Sequence, residues 1–363
     1  MKIIFLGDSI GTQRAGIHYY GLQLVQKIVE SLPAHEFGIV LPEHNPEIEM
    51  EQFIVPVHNW IPYHLRFRQL VTIPMLVRKI APAVVIELAH FGPFFLPDSI
   101  KRITVIHDLT PISHPQYHDK LSTWMHRWLL PGILNAAHGI IVNSAHTKRD
   151  LAATMQVSTE CIHVVHPQIS EPSSKELTAE EFKPPKQPYF LVVGTMEARK
   201  NHECILQAFD VIAEKHPKHI LVFAGQPGWK TEAFSTRLSS SKYQSRMLIT
   251  GYLSRGNLWK LYEHAFALIQ ASHYEGFGLP VLEALHFSLP LLLSNTASLP
   301  EIAGEAALYF APRDHLQLAT HMDTLIQNDI ICQDLRKKSC NRYLEWTTNV
   351  RSDFSFIVDL ERI

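Results

Sequence analysis

Two glutamates eight residues apart, Glu275 and Glu283, bracket a Gly-Phe-Gly turn in the stretch HYEGFGLPVLEAL, His273 to Leu285. Pro280 suits the first turn of a helix, where the N–H that proline lacks would be unsatisfied in any case. The helix is therefore expected to open between Gly278 and Pro280. Gly276 and Gly278 permit positive φ and close approach of a ligand, and free N–H groups with the helix dipole favour an anion. These residues describe a phosphate seat, with Glu275 projecting from the loop and Glu283 one turn into the helix. Even on one continuous helix the two carboxylates would stand about 12 Å apart in rise and roughly 80° apart in azimuth. Retaining glycosidases need carboxyl groups about 5 to 5.5 Å apart, so the spacing speaks against hydrolysis. It suits one glutamate on sugar or ribose hydroxyls and one beside a charge developing at phosphate. A surface glutamate followed by a helix-start glutamate that only complements the dipole fits the same residues.

Two other stretches carry candidate chemistry. GTMEARKN, Gly194 to Asn201, follows an apolar run and sets Arg199 and Lys200 where basic side chains meet phosphates at a sheet edge. A solvated Arg-Lys pair at a helix start is the plain alternative. TVIHDLTP places His107 and Asp108 at the carboxyl end of a strand, where open α/β sheets present functional side chains. A lone histidine there is as readily structural.

The segment EGFGLPVLEAL resembles the E-x7-E element of retaining glycosyltransferases of the GT-B fold, in glycosyltransferase family 4. GYLSRGNLWKLYEHAFALIQAS, Gly251 to Ser272, is similar to the stretch preceding that element, with Ala271 where the family usually has proline. The resemblance covers most of the chain and is strongest from Tyr189 to Pro312. It implies that Lys200 is the donor-diphosphate lysine. Arg199 stands in for the arginine that many members carry directly after the glycine, where this chain has Thr195. It further implies that Glu283 holds the ribose and Glu275 the sugar hydroxyls, with His107 contacting the sugar from the opposite wall. Gly194, Gly276, Phe277, Gly278 and Leu279 would line the donor, and Gly16 the donor-acceptor cleft. AGIHYY lacks the second glycine common after that position.

Composition sets the frame for these elements. At 363 residues the chain suits two domains, and 46% hydrophobic with 19% charged residues allows sizeable cores and excludes a disordered chain. A net charge of −2 gives no global attraction to nucleic acid, so any anion site is local. Cys161, Cys204, Cys332 and Cys340 lack metal-ligand spacing and read as reduced cytosolic thiols. MKIIFLGDSI reads as a buried first strand rather than a signal peptide, and no run is long enough to span a bilayer.

Apolar runs at Lys2 to Leu6, Phe37 to Leu41, Phe53 to Val57, Ala83 to Leu88, Ile103 to Ile106, Gly139 to Val142 and Ile162 to Ile169 alternate with helix-compatible segments. This is α/β patterning with parallel sheets. The first loop carries Gly7, Gly11 and Gly16 without a G-x-G-x-x-G fingerprint. Ser144 reads as a helix cap. Ser, Pro, Lys and Glu from Ser170 to Pro188 mark a linker. Strands restart at Tyr189 to Val193, His219 to Ala224 and Met247 to Tyr252. The expected layout is an acceptor-side Rossmann-like domain over 1–169, a linker over 170–188, a nucleotide-sugar domain over 189–345, and a tail over 346–363. In the GT-B fold such a tail often crosses back to the first domain. Trp60 to Ile80, with Tyr63, Phe67, Arg66, Arg68, Arg78 and Lys79, is either a helix docked on the sheet with its arginines in solvent or a basic amphipathic face for an anionic membrane.

The expected activity is transfer of a hexose, mannose first, from a nucleotide-diphosphate sugar to a glycan or lipid-linked acceptor with retained configuration. The GTMEARKN turn resembles that of mannosyltransferases of cell-surface polysaccharide synthesis, which makes GDP-mannose the first donor to expect. No D-x-D pair stands in a loop as a metal site, so neither a metal nor another cofactor is expected. The expected place is the cytoplasm, with peripheral contact at the inner membrane face. A phosphorylase on the same fold, a non-catalytic sugar-nucleotide-binding partner and a two-domain sugar receptor are the alternatives. They lack, respectively, a clear pyridoxal phosphate lysine, a reason to keep Glu275, and an export signal.

Overall fold

The computed structural model describes residues 1–10, 16–58, 60, 64–92, 94–169, 171–172, 182–228, 232–349 and 353–360. Gly11 of the first loop, Tyr63, Pro93 and most of the expected linker, 173–181, lie outside them. The chain divides into two compact units, Met1–Gln168 with Arg351–Ile363, and Ile169–Val350.

The first unit holds a seven-stranded sheet in the order β3-β2-β1-β4-β5-β6-β7. Its strands are β1 Lys2–Leu6, β2 Glu36–Leu41, β3 Glu51–Ile54, β4 Val84–Glu87, β5 Lys101–Ile106, β6 Gly139–Val142 and β7 Ile162–Val164. All pairs are parallel. Central strands such as KIIFL and VVIE are buried almost throughout because helices cover both faces, so they read as unbroken apolar runs. The edge strand β3 lies two residues earlier than Phe53 to Val57. Its register pairs Gly38 with Glu51, and Lys2 holds Glu51 at 2.8 Å. β7 ends at Val164, well short of Ile169.

The second unit holds six parallel strands in the order β10-β9-β8-β11-β12-β13. They are β8 Tyr189–Val193, β9 Ile220–Ala224, β10 Met247–Gly251, β11 Ala267–Gln270, β12 Leu291–Ser294 and β13 Ala307–Phe310. Each sheet reverses direction once, between β1 and β4 and between β8 and β11. Ligands of doubly wound sheets bind beyond the strand ends at such reversals.

Two expectations change: Arg68 is not in solvent, and Trp346 is not in the tail. A short helix, His64–Phe67, passes through a wide π-helical turn, Arg68–Thr72, into Ile73–Ile80. Arg68 is fully buried, ion-paired to Asp8, and its Nε donates to the Val55 carbonyl at 2.6 Å, so it faces neither solvent nor a bilayer. The long helix runs Asp329–Asn349, so Trp346 belongs to it rather than to a tail and packs on Phe277 in the second unit. Residues beyond it return to the first unit, where Phe354, Ile357 and Leu360 join the core around Ile3, Phe5 and Ile103.

Candidate active site

The residues of GTMEARKN and HYEGFG meet at the sheet reversal of the second unit. Gly194 follows β8 with φ 129°, and the turn reaches Lys200 through a single 3-10 turn, Ala198–Lys200. Close packing fixes its path: a Cβ on Gly225 would lie 2.0 Å from the Gly194 carbonyl oxygen. Asn201 ends the turn at φ 57° and donates through Nδ2 to the carbonyls of Ala271 and Pro312 at 3.1 and 2.6 Å. The His273 N–H donates to the Arg199 carbonyl at 2.9 Å. The basic turn after β8 is thus tied to the loop after β11.

Glu275 sits where these loops cross, and its carboxylate is crowded with donors. Oε1 accepts from Lys200 Nζ at 2.6 Å, Ser272 Oγ at 2.6 Å and Gln270 Nε2 at 2.8 Å, while Oε2 accepts from Arg199 Nη1 at 2.8 Å. Oε1 is saturated by its three donors, and Oε2 is held by Arg199. Burial alone would raise its pKa. The cationic Arg199 and Lys200 outweigh that and hold the carboxyl well below the usual range. Glu275 is therefore buried rather than projecting into solvent, and it is the counter-ion of the two cations. Arg199 also donates to the Tyr274 carbonyl at 2.6 Å and pairs with buried Glu197. Glu197 was not a sequence candidate. Its position two residues before Arg199 was the available signal.

The helix Leu279–His286 opens at Gly278, whose φ is 114° and whose Cβ, if present, would lie 2.8 Å from Leu299 Cδ2. Glycine is required there on both counts. Phe277 turns its ring into the core against Trp346 at 5.6 Å, so only its backbone is left for a ligand, and Gly276 is buried beside it. Leu279 is half-buried at the first helical position. Glu283 lies one turn in, buried, accepting from Arg255 Nη1 at 3.0 Å and from Tyr262 Oη at 2.7 Å. Burial raises its pKa, against the opposing pull of Arg255. Each oxygen keeps an acceptor position. Arg255, stacked over Trp259 at 4.5 Å, was missed because only the folded chain brings it to Glu283.

His107 and Gly16 belong to the first unit and are not part of this cluster. Gly16 is exposed at the start of the helix Gly16–Ser31. His107 is buried beyond β5, with its ring Nε2 at 2.8 Å from the Leu88 carbonyl and its own N–H donating to His90 Nε2 at 2.8 Å. A carbonyl only accepts, so the ring proton is on Nε2 and the lone pair is on Nδ1. Burial lowers its pKa and keeps the ring neutral. Asp108 accepts from the Thr110 N–H and hydroxyl at 2.9 and 2.7 Å, which fits a loop-holding role.

Two doubly wound parallel-sheet units, with a glutamate and two cations at the sheet reversal of the second, define a glycosyltransferase of the GT-B class. The chain belongs to that class by sequence as well: residues 16–170 match the model for Glycosyltransferase Family 4 and residues 173–342 that for Glycosyl transferases group 1. Among curated relatives, O-antigen chain mannosyltransferase B of Escherichia coli is 28% identical over 353 residues, 91% of each chain. Among solved structures, sucrose-phosphate synthase from Thermosynechococcus elongatus superposes with a TM-score of 0.71 at 17% identity, covering 99% of this chain and 97% of that one. WaaG, a glycosyltransferase involved in lipopolysaccharide biosynthesis, gives 0.72 at 14% identity over 94% of this chain and 95% of that one. At these identities the structural likeness speaks for the fold.

Proposed function

We propose that this chain is a retaining mannosyltransferase that moves mannose from GDP-mannose to a glycan or lipid-linked acceptor. The observation that carries the proposal is Glu275 held between Arg199 and Lys200 at the sheet reversal, together with the likeness to O-antigen mannosyltransferases. That likeness favours a transferase over a phosphorylase or a non-catalytic partner.

In the reaction the bond between the sugar C1 and the diphosphate oxygen breaks, its electron pair leaves with the diphosphate, and the acceptor oxygen bonds to C1 as its hydroxyl proton passes to the departing diphosphate oxygen. The largest charge to develop is on the departing diphosphate, and preorganised cations there contribute most. Arg199 and Lys200 take that task, with the Gly276 to Gly278 backbone and the helix N-terminus behind them. Since Glu275 holds the same two cations, the diphosphate competes with it for them, and drawing them away opens acceptor positions for sugar hydroxyls. Glu283 takes ribose hydroxyls with its remaining acceptor positions, held in place by Arg255 and Tyr262. In the first unit, His107 offers the Nδ1 lone pair to a hydroxyl.

The reading includes no divalent ion, because Arg199 and Lys200 supply the positive charge such an ion would bring. Transfer unaffected by EDTA fits it, and EDTA-sensitive transfer restored by manganese contradicts it. It also places the protein in the cytoplasm with peripheral contact at the inner membrane face. No helix among the described residues is long and apolar enough to cross a membrane. Trp60, Phe67 and Met75 are exposed apolar side chains in the stretch that also carries exposed Arg78 and Lys79, which suits a membrane surface better than solvent. Radiolabelled transfer from GDP-mannose to a manno-oligosaccharide, with loss of product in Lys200→Ala, tests the activity. Vesicle sedimentation with Trp60→Ser and Phe67→Ser tests the contact.

A further inference from the structure

Three neighbouring strand ends in the first unit close on His107. β4 runs into Leu88, Ala89 and His90, β5 into His107, and β6 into Asn143. The Asn143 side-chain amide donates to the His107 carbonyl at 3.0 Å, and the Thr147 hydroxyl donates to Asn143 Oδ1 at 3.2 Å, which fixes the amide. The loop after β4 takes two more groups. The Leu88 carbonyl accepts from the His107 ring Nε2–H at 2.8 Å, and His90 Nε2 accepts from the His107 backbone N–H at 2.8 Å. Of the polar atoms of His107, only Nδ1 is left without a partner among the described residues.

His90 reaches that N–H from a costly backbone conformation. Its φ is 69°, in the left-handed region where a side chain is disfavoured and the surroundings must offset the cost. Here the His90 N–H donates to the Val105 carbonyl at 3.1 Å, and Glu87 Oε1 accepts from the Ala89 N–H at 2.6 Å, so the loop is pinned on both sides of the strained residue. A backbone N–H only donates, so the lone pair of His90 is on Nε2 and its proton on Nδ1. Burial, and then the neighbouring His107, lowers the His90 pKa, which keeps the ring neutral and able to accept. The two rings stack with centroids 5.2 Å apart and planes 22° apart, and Tyr20 meets the His107 ring at 5.6 Å and 79°. The His107 ring thus has a set tautomer and a set plane.

We propose that His90 is a positioning residue for the transfer: it holds His107 by the backbone N–H and by the ring face, so that Nδ1 is presented to a sugar hydroxyl. The role rests on the reading of His107 as a sugar-hydroxyl contact in a transferase. His90 acts through His107 and needs no contact of its own with substrate.

The test uses the full chain. His90→Phe keeps an aromatic ring to stack and loses the acceptor, whereas His90→Gln keeps an acceptor and loses the ring. The expected result is kcat/KM for mannose transfer lowered about tenfold in His90→Phe and less than about threefold in His90→Gln. In a His107→Ala background, His90→Phe should cost less than about twofold more, because residues acting through one contact are not additive. A full tenfold loss in that background overturns the proposal, as does a His90→Phe enzyme with the kcat/KM of the wild type. The wild type alone supplies a second readout in the nitrogen NMR shifts of its imidazoles, with His107 expected as the Nε2–H tautomer and His90 as the Nδ1–H tautomer. A His90 proton on Nε2 ends the proposal even where His90→Phe does not fold. If the wild type transfers no sugar, or His107→Ala transfers at the full rate, the functional reading has failed, and hydrogen exchange at the His107 amide still decides the clamp. Exchange that quickens in His90→Phe and not in His90→Gln upholds the clamp, and equal exchange in all three proteins ends it.

Discussion

Glu275 is bound on all sides, and that sets its mutational behaviour. In Glu275→Gln Lys200 loses its counter-ion and Arg199 keeps Glu197, so a nucleoside diphosphate meets less competition for the two cations. Transfer is expected to fall at least about a hundredfold, as for loss of a transition-state contact, while calorimetric affinity for GDP holds or improves. Weaker GDP binding in that variant would show that Glu275 organises the cations rather than competes for them. The same carboxyl gives a pH signature. Its folded pKa is depressed, so its contribution to stability is present above the unfolded value of about 4.3 and is lost as pH falls below it toward the folded value. Urea midpoints measured downward from pH 6 should drop across that range in the wild type and drop less in Glu275→Gln. Glu275, Arg199 and Lys200 could be picked from the sequence because each follows an apolar run ending in a loop. The Arg255 to Glu283 pair could not, since charge partners 28 residues apart are chosen by topology and not by local pattern, whereas Glu197, two residues before Arg199, was legible and missed.

At the level of elements, the legible strands were those buried on both faces. Gly139 to Val142 and Tyr189 to Val193 were read with the bounds that the structure has, because an unbroken apolar run ending at a polar or glycine residue defines them. The edge strand β3 was misplaced, since its residues are half exposed and its register is set by β2. Arg68 in the stretch from Trp60 to Ile80 was misread for a related reason: hydropathy cannot distinguish an arginine in solvent from one buried on Asp8, sixty residues away in sequence. Arg68→Ala would take the buried cation away from Asp8, and breaking a buried pair costs roughly 3–5 kcal/mol. Chemical denaturation should report a loss of that order, whereas Arg78→Ala at an exposed position should change little. Gly225→Ala makes the matching test in the second unit. The new Cβ meets backbone at 2.0 Å, so the turn after β8 must move, and affinity for the diphosphate should fall with Arg199 and Lys200 intact.

The whole molecule is two doubly wound units linked by a chain that leaves the first, builds the second, and ends again in the first. Repetition of strand and helix made both units legible in the sequence. The closing segment was harder to place, because Trp346 sits in the long helix and the returning residues number only a few. Phe354, Ile357 and Leu360 are nonetheless buried in the first unit's core, where each apolar side chain contributes about 1.5–3 kcal/mol. Removing residues 353–363 should therefore lower the calorimetric transition of the first unit and leave that of the second in place.

The central claim is that Lys200 and Arg199 receive the diphosphate of a nucleotide sugar. Its most direct test is calorimetric titration of wild type and Lys200→Ala with GDP-mannose, UDP-glucose, UDP-N-acetylglucosamine and ADP-glucose. The account predicts that GDP-mannose binds the wild type and that Lys200→Ala weakens it at least about tenfold. Folded wild-type protein that binds none of the four, or a Lys200→Ala variant that binds its donor as tightly as the wild type, would contradict it.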